Sequence, residues 1–96
     1  VPKGTTVHLT FINADPDMPH NLLVTRAAPP FGYGVMMQSP VAFPGAATSV
    51  LPPAAATSWP AVETSFVANA TGTFTYLCTV PGHAEQGMYG RLVVKP

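Results

Sequence analysis

The segment "YLCTVPGHAEQGMYG", residues 76–90, carries three metal-capable side chains at even intervals: Cys78, four residues, His83, four residues, Met88. Cys78 is the only cysteine of the chain. Thiolate, imidazole and thioether together form a ligand set for copper, not for magnesium, calcium or a structural zinc. The three cannot share one face of a straight strand, but they can converge if the segment folds back as a loop. Pro81 and Gly82 supply the bend, and Gly87 and Gly90 let backbone pass close. A trigonal copper site built on two histidines and a cysteine needs a second imidazole, from His8 or His20. His20 is the better candidate, because it follows a Pro-rich loop and begins a strand, which places it at the same end as the 78–88 loop. His8 sits in mid-strand with Thr10 in its phase and reads as a solvent-facing residue. Taken singly, each candidate has an ordinary explanation: Cys78 as a small buried hydrophobe, Met88 as core filler, His20 as a strand-entry residue bonded to backbone. The four together are not explained that way.

The elements that must position these groups are short strands. Residues 5–13 alternate, with Val7, Leu9 and Phe11 on one side and His8 and Thr10 on the other, the period of a strand with one buried face. Residues 13–19 hold two prolines, two aspartates and an asparagine and read as a loop, followed by a second strand at 20–26. Residues 28–40 are broken by Gly and Pro. Residues 44–60, low in complexity and rich in Ala, Pro, Ser and Thr, read as a long surface loop. Strands are expected again at 61–69, where Val62, Thr64 and Phe66 share a phase, and at 73–78, where Phe74, Tyr76 and Cys78 do. The "ATG" at 70–72 is the turn between them, and the "NAT" sequon at 69–71 reads as part of that turn. A last β-branched strand covers 90–96. Twelve prolines and eight glycines leave no helical pattern of useful length, so the chain reads as an antiparallel sandwich.

Composition narrows the function classes. Ninety-six residues make one domain, 1–96, with a single modest core from 47% apolar residues. Four basic residues balance four acidic ones, which gives no clustered cationic surface and no sign of a nucleic-acid partner. Charged residues are 8% of the chain, against about 25% in an ordinary soluble domain, so the surface must be built from Thr, Ser, Ala, Pro and backbone. An acidic habitat or an apolar docking face would both favour that. One cysteine excludes an internal disulfide and any zinc site on paired cysteine motifs. No run approaches the ~18 apolar residues of a membrane span. The chain begins at Val1 without a signal peptide, as a processed, exported chain or a cut-down one would.

Residues 76–90 resemble the copper loop of the cupredoxins, the type 1 blue copper proteins. "VPKGTTVHLTFINAD" is similar to the family's strand before the first ligand, "PHNLLVTRAAPPFGYGVM" to the first-histidine strand and its continuation. "GTFTYLCTVPGHAEQGMYGRLVVKP" is similar to the last two strands and the loop between them. The resemblance covers essentially the whole chain, weakest at 44–60, and the four-and-four spacing is specific, since other members space this loop differently. It implies a Greek-key β-sandwich with one type 1 copper. Carried over position by position, it makes His20, Cys78 and His83 the equatorial ligands and Met88 the axial one. Asn21, which follows the first histidine as in many members, is expected to brace the two ligand loops, with its backbone N–H aimed at the Cys78 sulfur. Members generally have a strand before the one at 5–13. Val1 starts too late to supply it, so the sandwich is expected to lack that first strand or to fill the gap otherwise. An open sheet edge of that kind invites self-association.

The function expected on these grounds is electron transfer, with copper cycling between Cu(II) and Cu(I) and no enzymatic substrate. The electron leaves through His83, whose neighbours Pro81, Gly82, Ala84 and Gly87 are uncharged. Met18, Pro19, Pro30, Phe31, Met36 and Met37 are expected to extend an apolar copper end, on which redox partners of cytochrome or oxidase type dock weakly over a small area. Near-zero net charge predicts little electrostatic steering. The location implied is periplasmic or otherwise extracytoplasmic, with anchoring through a preceding segment. Two alternatives stand beside this: a domain of a larger copper enzyme, and a copper storage or delivery protein. An enzyme would need further histidines, and only His8 remains. Charge counting also predicts a high potential, because the oxidised site is charged and the reduced one neutral, and apolar burial penalises the charged state. Asp15, Asp17 and Glu85 are the only carboxylates close in sequence to a ligand.

Overall fold

A computed structural model describes residues 1–32 and 40–96. Five strands are formed: β1 (Thr6–Ile12), β2 (Leu23–Thr25), β3 (Ala61–Val67), β4 (Gly72–Leu77) and β5 (Tyr89–Val94). β1 and β3 pair antiparallel, from Thr6 opposite Val67 to Ile12 opposite Ala61. β4 is the centre of a second, antiparallel sheet in the order β2–β4–β5. β3 and β4 follow one another in the chain but lie in different sheets, so the turn at 68–71 carries the chain from one layer to the other.

The alternation read from residues 5–13 is realised in β1, where Val7, Leu9 and Phe11 are half-buried while Thr6, His8, Thr10 and Ile12 are exposed. In β3, Phe66 is buried and Val62 and Thr64 are half-buried, in the expected phase. Inward residues of both sheets meet in one core: Val24, Phe66, Phe74 and Val94 from strands, with Val7, Leu9 and Leu22 packed against them. Phe43, which belongs to no strand, stands between the layers. Its ring stacks on Phe66 at a 5.4 Å centroid distance and tilts against Phe74 at 4.7 Å. The two layers are thus joined by aromatic contacts as well as by area burial.

Two expectations are corrected. Residues 44–60 are not merely a surface loop, since Ala46 and Leu51 are buried. The segment around Ala46 lies along β2 as a partial strand: Val24 donates to the Ala46 carbonyl at 2.9 Å and Thr48 to that of Leu22 at 2.8 Å. Unpaired backbone at this depth is costly, so the low-complexity stretch takes its bonds from the sheet edge. Second, the strand read at 20–26 is regular only at Leu23–Thr25, because His20 and Leu51 exchange two backbone bonds across an isolated bridge. Phe74, Tyr76 and Cys78 keep the expected common phase, but Tyr76 is exposed where the other two are buried. Its ring lies against its cross-strand partner Gly90, where an added Cβ would fall 2.3 Å from the ring's outer atoms. Thr75 and Leu77 are buried on the opposite side, so the central strand is covered on both faces.

No strand precedes β1 among the described residues. Residues 1–3 run parallel to the end of β5 instead. The Val1 amino group donates to the Val93 carbonyl, Lys95 to that of Val1 and Lys3 to that of Lys95, at 2.7–2.8 Å.

Candidate metal centre

The ligand loop closes on itself. It leaves β4 at Cys78 and returns to β5 at Tyr89. The Cys78 N–H donates to the Met88 carbonyl at 3.2 Å, and the Met88 N–H donates back to the His83 carbonyl at 3.0 Å. Gln86 donates to the carbonyls of both Gly82 and His83, and Gly87 to that of Ala84. Gly87 sits at φ +107°, a conformation that a side chain would strain, and this lets the chain reverse before Met88. Ala84 is buried with Leu77 and Phe31 in a second small cluster that fixes the loop to the sheet.

These elements bring His20, Cys78 and His83 together, with one donor atom from each lying within 4.8 Å of the others. The Cys78 sulfur stands 3.8 Å from His20 Nδ1 and 3.5 Å from His83 Nδ1. Donors bound to one first-row ion at about 2.0–2.3 Å and near 120° stand roughly 3.7 Å apart, so both distances suit a trigonal two-histidine, one-cysteine site. The rings of His20 and His83 lie 4.8 Å apart at 47°. Cys78 and His20 are buried, and His83 is half-buried at the protein surface. Met88 lines one cavity with Cys78 and another with His20, so the loop sets it beside the cluster, and the residue is 39% exposed. Soft thiolate and thioether with two imidazoles fit copper better than hard cations.

Around the donors is a polar brace. Asn21, buried, accepts through Oδ1 from the Thr79 N–H at 2.7 Å and from the Thr79 hydroxyl at 3.1 Å, tying the first-histidine segment to the residue after Cys78. The expected bracing is therefore present. It runs through the amide side chain, and among the described residues no hydrogen bond joins the Asn21 backbone to the sulfur.

Sequence reasoning missed the roles of two further residues, Asn13 and Asp15, the latter noted only as a carboxylate close in sequence to a ligand. Asp15 Oδ2 accepts from His20 Nε2 at 2.8 Å, and Asp15 Oδ1 accepts from the Asp17 N–H at 2.8 Å. The bond from His20, then the one from Asp17, hold the Asp15 carboxyl below its ordinary range. Asn13, fully buried, anchors the same loop. Its Nδ2 donates to the carbonyls of Met18, Leu51 and Pro52, and its Oδ1 accepts from the Asp15 N–H. An "N-A-D-P-D" run reads locally as a turn, and the only signal of more was a carboxylate five residues before a histidine.

Of the side chains expected to form an apolar copper end, Met18 is exposed and Pro19 half-buried. Pro30 is exposed, whereas Phe31 is buried against Leu77 and stacks edge-on with Tyr89. Met36 and Met37 lie outside the described residues.

His8 is exposed in mid-β1, opposite Ser65. His8→Ala is therefore expected to leave copper absorption unchanged, while His20→Ala removes a donor and bleaches it. The reverse pattern in titrations of the two variants with copper would overturn the choice of imidazole.

The fold and the donor cluster define a copper-binding β-sandwich, and the family model of copper-binding proteins, plastocyanin/azurin family, matches residues 1–95. The chain belongs to that family. Among its relatives, the rusticyanins of Acidithiobacillus ferrooxidans and Acidithiobacillus ferridurans are 36% and 35% identical over 96 residues, 99% of this chain and 48% of each of theirs. The solved rusticyanin from Thiobacillus ferrooxidans superposes with a TM-score of 0.81 at 33% identity, over 99% of this chain and 58% of that one. Dithionite-reduced auracyanin from Roseiflexus castenholzii does so with a TM-score of 0.74 at 29% identity, over 100% of this chain and 82% of that one. The chain spans about half the length of the rusticyanins it matches.

Proposed function

We propose that residues 1–96 act as a single electron-transfer domain, with His20, Cys78 and His83 as equatorial ligands and Met88 as the axial ligand of one type 1 copper. The observation that carries this reading is the triad of donor atoms, Nδ1, Sγ and Nδ1, held at 3.5 and 3.8 Å by backbone and side-chain bonds. Bound copper supplies a one-electron Cu(II)/Cu(I) couple. Cys78 provides the thiolate and shields it from water by burial. His20 is locked from behind by Asp15. His83 is the most accessible of the three equatorial donors, so the electron enters and leaves through its ring. The remaining imidazole, His8, stands on an outer face, which leaves no second histidine pair for another copper and favours a carrier over an enzyme domain. A preformed, braced site also favours retention of the metal over its delivery.

Partners are redox proteins, of cytochrome or oxidase type, docking weakly over the loop that carries half-buried His83 and exposed Met88. No helix among the described residues is long and apolar enough to cross a membrane. We place the carrier on the extracytoplasmic side, by its likeness to the rusticyanins. The deciding experiment is an absorption spectrum of the chain with Cu(II) added. An intense thiolate-to-copper band, bleached reversibly by a reductant, is expected, and a colourless mixture would refute the reading.

Met88→Gln tests the axial position. An amide oxygen is a harder donor that prefers Cu(II), so the potential should fall while the thiolate band survives. An unchanged potential in voltammetry would remove Met88 from the ligand set.

A further inference from the structure

We propose that Asp15 is a positioning residue for the metal centre: it fixes His20 in one tautomer and, as an anion, shifts the bound copper towards Cu(II). The inference rests on the copper reading above. Its basis is a continuous chain of contacts. Buried Asn13 pins the 13–20 loop to residues 51 and 52 and accepts from the Asp15 N–H, which sets where the Asp15 carboxylate lies. That carboxylate has both oxygens engaged, Oδ1 by the Asp17 N–H and Oδ2 by His20 Nε2. A carboxylate oxygen can only accept, so Nε2 must carry the proton and Nδ1 must present its lone pair. Nδ1 is the atom that faces the Cys78 sulfur. The same contact acts on the electron balance. A hydrogen bond to an anion makes the imidazole a more basic donor, and a fixed negative charge favours the more positive oxidation state. His83 has no such partner among the described hydrogen bonds of its side chain, which contact only Cys78. The two histidines are therefore inequivalent: His20 is clamped and charge-tuned, His83 is the open one. In a chain with only four acidic residues, one of them touches a proposed ligand. This opposes the high potential expected from charge counting alone.

The test compares Asp15→Asn, which keeps an acceptor oxygen and loses the charge, with Asp15→Ala, which loses both. In copper-loaded protein, voltammetry of Asp15→Asn should show a raised potential with the thiolate band intact. A tenfold loss of preference for Cu(II) over Cu(I) corresponds to about 59 mV. In metal-free protein, nitrogen–proton NMR correlations should show His20 as the Nε2–H tautomer in wild type and in Asp15→Asn, and as a mixture in Asp15→Ala. Copper affinity of Asp15→Ala should fall tenfold or more. An unshifted potential in Asp15→Asn overturns the tuning, and an unchanged tautomer in Asp15→Ala overturns the positioning. Should the wild-type chain give no thiolate band, the copper reading fails on its own. The metal-free tautomer measurement still judges Asp15 by the same criterion.

Discussion

Cys78→Ala should erase the visible copper band completely. The band requires a thiolate bonded to Cu(II), and the chain holds no other cysteine to substitute. The sulfur stands 3.8 and 3.5 Å from the Nδ1 atoms of His20 and His83, so its removal leaves two neutral donors without the anionic one. Soft-ligand selectivity for copper goes with it, because two imidazoles and a thioether bind without the charge neutralisation that a thiolate provides. The fold should survive. One buried sulfur is lost from a site that Ala can occupy without strain, and the Cys78 N–H bond to the Met88 carbonyl belongs to the backbone. Absorption after addition of Cu(II), with circular dichroism as the check on folding, measures the effect. A folded Cys78→Ala protein that still turns blue would require a different chromophore and would defeat the assignment.

Gly45→Ala should be strongly destabilising although it lies outside the metal centre. Gly45 has φ +84°, a left-handed conformation that costs an L-residue about 1–2 kcal/mol. A Cβ there would also fall 2.6 Å from the Ser65 carbonyl oxygen, which is backbone in β3 and cannot swing away. Relief requires moving the segment that carries Phe43 and Ala46 into the core, or breaking the bond from the Thr64 hydroxyl to the Gly45 carbonyl. The combined loss should exceed about 3 kcal/mol, a large share of a stability of about 5–15 kcal/mol. For a domain of this size that lowers the melting temperature by roughly 12 °C or more. Gly4→Ala is the control, since Gly4 has φ +91° with nothing near the added carbon. It should cost the backbone contribution alone. Equal losses in the two variants, measured by thermal unfolding of metal-free protein, would show that the approach to Ser65 does not matter.

The legible parts of this fold are those where side-chain period and burial coincide. β1 and β3 each have one covered face, so Val7, Leu9 and Phe66 announce themselves by alternation. The ligand loop was legible for a different reason, because donor types at fixed spacing mean little except as a metal site. Two kinds of feature stayed hidden. Buried Ala46 and Leu51 look like low-complexity loop, because the stretch around them carries little hydropathy contrast and their backbone partners, Val24 and His20, are distant in sequence. The Asn13–Asp15 brace stayed hidden because Asn and Asp favour turns whatever their partners. What they grip, the carbonyls of Leu51 and Pro52 and the ring of His20, is set by tertiary structure. Phase alone did not give the burial of Tyr76, whose ring is exposed over Gly90 although it shares the phase of buried Phe74.

The donor cluster has a consequence for how the chain acquires its metal. His20 and Cys78 are 58 residues apart in sequence, whereas His83 is five residues from Cys78. In polymer terms a bound ion is a removable cross-link between the first part of the chain and its last hairpin. Closing a flexible loop of that span costs about 3.6 kcal/mol of chain entropy, apart from a constant. The unfolded chain can gather the local donors in one turn but not His20, so full affinity arises only once β2 has paired with β4. A ligand present at a thousand times its dissociation constant adds at most about 4 kcal/mol to the native state, less whatever the local donors bind in the unfolded chain. Tight binding, as distinct from mere metal content, therefore reports folding: the loop donors alone can hold an ion loosely, and the gain that His20 adds requires the two halves of the chain to have met.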